Sequence, residues 1–147
     1  MDREKLAEAL VEVAKIPLVF YESNGRVFAV NKKGRFDPEE SAREILGEDH
    51  PLVERTAEDL VRVCRHPDAG DLVVSGWSAD QRPLTFAEEN GAHGGPGKEE
   101  TSGVLLIPKS MSSSGDVFRP LNLRGSVLRV LDQRSGEKTG NIDNGVR

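Results

Sequence analysis

Ile16-Pro17-Leu18-Val19-Phe20-Tyr21-Glu22-Ser23-Asn24-Gly25-Arg26-Val27-Phe28-Ala29-Val30 is the stretch on which the fold turns. Two short runs rich in β-branched and aromatic residues flank Asn24-Gly25. Such residues suit a pleated, half-buried backbone. Asn-Gly tolerates the positive φ values that a tight two-residue hairpin turn demands. Residues 16–31 are therefore predicted to form a β-hairpin.

Helices are expected on either side. Over residues 2–15, Leu6, Leu10, Val13 and Ala14 recur at three- and four-residue spacing among charges, and Pro17 closes the segment. Asp37-Pro38-Glu39-Glu40 reads as a helix start, with a capping carboxylate, proline in the first turn and acids at the positive end of the dipole. That helix runs to residue 46 and stops at Gly47. Another spans about 52–64, with Thr56 as a possible internal break.

Leu72-Val73-Val74-Ser75-Gly76-Trp77 is a further strand candidate, as is Pro83-Leu84-Thr85-Phe86-Ala87. Gly103-Val104-Leu105-Leu106-Ile107-Pro108 is a continuous apolar run, read as a strand buried on both faces. Three or more strands are thus expected from residues 70–108. Ser110 to Gly115 reads as a flexible linker, and 120–132 as a last helix carrying Leu121, Val127, Leu128 and Leu131. The expected class is mixed α/β with a small hairpin subdomain. Its divisions are 1–66 (helix, hairpin, helix), 67–133, and a polar tail at 134–147, disordered or held by a partner.

The chain has 147 residues, room for one compact domain. Its net charge is −5 and it carries no sustained basic stripe, so nothing draws it to a nucleic-acid backbone. Lys32-Lys33 and the Arg124/Arg129 pair read as solvated faces. The single cysteine, Cys64, excludes an internal disulfide and reads as a buried small hydrophobe. No run approaches the roughly 18 apolar residues of a membrane helix, and the charged N-terminus does not read as a signal peptide. A cytoplasmic location is the default.

Residues 88–97 are chemically the least ordinary, with four glycines around His93. Glycine permits backbone shapes and close ligand approach that other residues forbid. A histidine between two strands can present its imidazole at a sheet edge, where α/β enzymes place their chemistry. Glu89 stands four residues before it, so a Glu/His pair is conceivable. A metal site needs three or more ligands, however, and this segment offers one good one.

Taken together, Gly70-Asp71-Leu72-Val73-Val74, the segment Leu84 to Gly97 with its Ala92-His93-Gly94-Gly95-Pro96-Gly97, Glu100-Thr101 and Val104 to Pro108 resemble one family's closing segment. That family is the bacterial type I phosphodiesterase / nucleotide pyrophosphatase branch of the alkaline phosphatase superfamily. The resemblance covers roughly residues 5–110, and the His-Gly-Gly run is its specific part. It implies a partial alkaline-phosphatase-like sheet with flanking helices. It implies that His93 ligates one of two active-site metal ions, usually zinc, with Gly94 and Gly95 turning the backbone beside it. Glu89, Asn90 or Glu100 would supply the acceptor that orients the second ring nitrogen.

Much of the family's machinery does not match. Leu46, Arg62 and Glu89 stand four residues before His50, His66 and His93, so no Asp-x-x-x-His pair is present. Asp49-His50 is followed by Pro51 rather than glycine and reads as a polar surface turn. His66 reads as a structural loop residue. Thr85, Ser75 and Ser78 have no positioned base or metal, so no catalytic residue is assigned. The expectation is a C-terminal domain or fragment of a metal-dependent phosphodiesterase-like hydrolase, inactive alone. Zinc or a similar divalent metal would bind only if a protein partner or missing lobe completed the site. Two alternatives remain: a non-catalytic structural or accessory subunit of a larger complex, and a small domain whose Gly-rich loop cradles an anion through backbone N–H groups.

Overall fold

A computed structural model describes residues 2–85, 95–104, 106–107 and 120–139. They are mixed α/β and fall into two compact units, 1–103 and 104–147.

The first unit is built around the hairpin. β1 (Leu18–Ser23) pairs antiparallel with β2 (Arg26–Asn31), in the register Ser23 opposite Arg26. Asn24 and Gly25 both take positive φ, 53° and 77°, as the Asn-Gly turn requires. β3 (Gly34–Phe36) continues the meander from β2. β4 (Leu72–Ser75) returns from a distance to pair antiparallel with β1, giving the order β3-β2-β1-β4. The sheet thus crosses the boundary expected after residue 66.

β1 is buried along Leu18–Tyr21 because helices cover both sheet faces. On one face Leu18, Phe20, Val27 and Ala29 meet α2 (Ala42–Leu46) and α3 (Val53–Cys64) through Ile45, Leu46, Val53, Ala57 and Val61. On the other, Val19, Tyr21 and Val30 meet α1 (Arg3–Glu12) through Ala7 and Val11. Side chains alternate across a strand, so two covered faces produce an unbroken apolar run.

The helices correct three expectations. α1 ends at Glu12 and buries Ala7 and Val11, leaving Val13 80% exposed beyond its end. The helix expected over 38–46 begins only at Ala42, because residues 38–40 form a turn. α3 runs through Thr56 without a break, and the Thr56 N–H donates to Leu52 O at 2.9 Å.

Asp37 organises that turn from a position where its side chain is 10% exposed. It accepts hydrogen bonds from the Glu39 N–H at 2.9 Å and from Arg26 Nε at 3.1 Å. Burial by itself would raise the carboxyl's pKa. The Arg26 guanidinium and the Glu39 and Glu40 N–H groups prevail and hold it below the ordinary value. A depressed folded pKa contributes stability that is present above the unfolded value and lost as pH falls through the folded one. Asp37→Asn should therefore cost about 1 kcal/mol at neutral pH, since Arg26 is half exposed to solvent. In urea unfolding, the gap between variant and parent should close as pH falls below about 3.9.

Fewer strands form than expected. Among the described residues of 70–108 only Leu72–Ser75 is a strand. Residues 83–85 are irregular, and Phe86 and Ala87 of that candidate lie outside the described residues. Val104 and Leu106 are irregular and almost fully exposed rather than buried, at 101% and 96%; Leu105 and Pro108 lie outside the described residues. In the second unit α4 (Pro120–Thr139) extends past residue 132, so residues 134–139 of the expected tail are helical. The linker at 110–115 and residues 140–147 lie outside the described residues. No helix among the described residues is long and apolar enough to cross a membrane.

Candidate functional site

Pro96 and Gly97, at the end of the glycine-rich segment, are both buried in the first unit. Two core side chains receive them. Trp77 follows β4 and is 9% exposed. Its indole lies so close to Gly97 that a Cβ there would stand 2.8 Å from Trp77 Cδ1 and 2.6 Å from Glu99 Oε2. Only a residue without a side chain fits that approach.

His50 is the second, and it corrects an expectation. Asp49 is exposed, as a polar surface turn implies, but His50 is buried at 5% exposure. Its Nδ1 accepts the Leu52 N–H at 3.1 Å, and its Nε2 lies 3.0 Å from Pro96 O. An imidazole that accepts at Nδ1 must carry its proton on Nε2 to serve a carbonyl. The two bonds therefore set the tautomer, and neither nitrogen is left for a metal. Beside this junction Lys98 pairs with Asp49 at 3.8 Å.

A short 3₁₀ turn, Lys98–Thr101, follows. The Glu100 N–H donates to Gly97 O at 3.0 Å, and the Glu100 side chain is exposed. Gly95 has open space where a Cβ would stand, so packing does not demand glycine there. Glu89, Asn90, His93 and Gly94 lie outside the described residues.

His66 is exposed, and its Nδ1 accepts the Asp68 N–H at 3.2 Å. Cys64 is half-buried, and burial pushes its thiol up to about 11, so it stays protonated at neutral pH. Among the described residues no three His, Cys, Asp or Glu side chains come together as a metal-binding group. Gly95 and Glu100, the two described members of the candidate set, do not by themselves fit a divalent ion.

A search of family models finds no match to the chain. Neither a curated protein nor a solved structure matches it.

Proposed function

We propose that this chain is the C-terminal part of a metal-dependent phosphodiesterase-like hydrolase, and that a second lobe or chain completes its active site. The observation that carries the reading is the burial of Pro96 and Gly97 against His50 and Trp77. It fixes the C-terminal end of the run that resembles the family's metal-binding turn, three residues beyond His93. In this reading β4 belongs to a partial alkaline-phosphatase-like sheet, and His93 is one ligand to zinc or a similar ion. The remaining ligands and the nucleophile come from the partner, so the isolated chain does not turn over phosphodiesters. One histidine binds zinc weakly, because affinity comes from several donors held together.

A second reading is an accessory subunit without catalysis. In either reading a partner would cover Val104 and Leu106, two apolar side chains that are almost fully exposed.

Native mass spectrometry of the chain isolated from its own source, with metal analysis, tests both. The expected result is a larger complex containing zinc, whose metal content falls in His93→Ala. A metal-free complex would favour the accessory subunit. A metal-free monomer would overturn both readings, and zinc-dependent phosphodiester hydrolysis by the pure chain would overturn the claim that it is inactive alone.

A further inference from the structure

A cavity of about 540 Å3 opens between the end of α1, the start of β1, the β2–β3 turn, α2 and the segment after β4. It belongs entirely to the first unit and involves none of the residues around His93. Its volume lies within the range of small-molecule sites, roughly 300–1,000 Å3.

The floor is apolar: Val11, Ile16, Leu18, Ile45 and Trp77, most of them core residues. One wall is cationic. Lys32 and Lys33 both reach a single carboxylate oxygen, Asp80 Oδ2, at 3.4 and 3.2 Å. Two ammonium groups on one carboxylate leave a positive charge unmatched at that wall, and both lysines are more than half exposed. Lys15 lines the rim as well, and its backbone is left-handed, with φ 58°. That conformation costs an ordinary side chain roughly 1–2 kcal/mol, and glycine would escape it. Glu12 on α1 and Glu44 on α2 also line the cavity. An anion is therefore drawn to the β2–β3 turn and away from the two helices.

We propose that this cavity binds a small organic anion with a flat apolar body, of the aromatic carboxylate, sulfonate or phosphate class. The ring system lies along Ile16 and Pro17, the half-buried apolar residues of the lining, with the edge of Trp77 below, and the charged group takes its place between Lys32 and Lys33. The ammonium groups donate charge-assisted hydrogen bonds to it, while Asp80 keeps them at the wall.

Trp77 is the chain's single tryptophan and reports from the cavity floor. The probe is 8-anilinonaphthalene-1-sulfonate, titrated into the full chain while energy transfer from Trp77 is recorded. Saturable binding of one probe per chain is expected. Lys32→Ala/Lys33→Ala should weaken it about ten-fold, as expected for the loss of hydrogen bonds to a charged group. Lys32→Arg/Lys33→Arg should retain it. Ala79→Phe, which narrows the mouth, should weaken it at an unchanged unfolding midpoint. The neutral N-phenyl-1-naphthylamine should bind less tightly than the sulfonate. Equal binding of the sulfonate by the parent and by both the alanine pair and Ala79→Phe would overturn the proposal. So would no saturable binding to the parent, or equal affinity for the neutral probe.

Discussion

Gly76→Ala should destabilise the first unit by about 2–3 kcal/mol, the cost of forcing an extra methyl into a packed crossing. Gly76 lies just past β4, where the chain from Leu84 returns against it. The Leu84 N–H donates to Gly76 O at 2.7 Å. A Cβ on Gly76 would stand 2.8 Å from the Leu84 carbonyl carbon and 3.3 Å from its Cα, and would overlap the carbonyl oxygen. These are backbone atoms, so no rotamer change relieves the clash. Either β4 shifts or the Leu84 segment lifts off. The next residue, Trp77, belongs to the core that joins the sheet to α2 and α3, so a shift of β4 is felt there. For a unit of about 100 residues the loss corresponds to a melting temperature lower by roughly 10–20 °C. Thermal unfolding followed by Trp77 fluorescence measures it. Gly103→Ala is the control, because nothing lies within 4 Å of its added Cβ, and it should be close to neutral. If Gly76→Ala melts with Gly103→Ala, the close approach of Leu84 does not hold in solution.

The contrast between these glycines shows what the sequence could and could not reveal. Gly25 was legible because its requirement is local: the Asn24-Gly25 pair between two apolar runs dictates a turn, and both residues have positive φ. α3 was legible for a similar reason, since Val53, Ala57 and Val61 recur every four residues and all are buried. The demands on Gly76 and Gly97 come from Leu84 and Trp77, eight and twenty residues away, and a local pattern carries no trace of them. The face of α1 was misjudged because Val13 fits the spacing but falls beyond the last helical residue. The run Val104 to Ile107 has the composition of a buried strand, yet composition cannot say whether a neighbouring strand exists to pair with it. Of the candidate site, Gly95 and Glu100 frame a turn whose position follows from Pro96 and Gly97. The chemistry assigned to His93 rests on the family resemblance.

His50 is the residue that local reading misjudged most, and it carries the other large effect. Asp49-His50-Pro51 has the composition of a surface turn, yet the imidazole is buried and bonded to Pro96, 46 residues later. His50→Ala would leave the half-buried Leu52 N–H and the buried Pro96 carbonyl without their partners. Each buried group left unsatisfied costs about 1–3 kcal/mol, so a total loss of about 2–4 kcal/mol is expected. His66→Ala, at an exposed side chain, should change stability by less than about 0.5 kcal/mol. Chemical denaturation of the two variants against the parent gives both numbers. The location of the damage is equally specific. The Leu52 and Glu100 amides should lose protection from hydrogen exchange in His50→Ala, while those of the β1–β2 hairpin should keep theirs under conditions where the variant is folded. In the parent, nitrogen NMR of the ring should find the proton on Nε2, since Nδ1 is the acceptor for Leu52. A variant that unfolds with the parent and protects the same amides would mean that His50 does not pin the end of the glycine-rich segment. The reading of Pro96 and Gly97 as the anchored end of that segment would then fail.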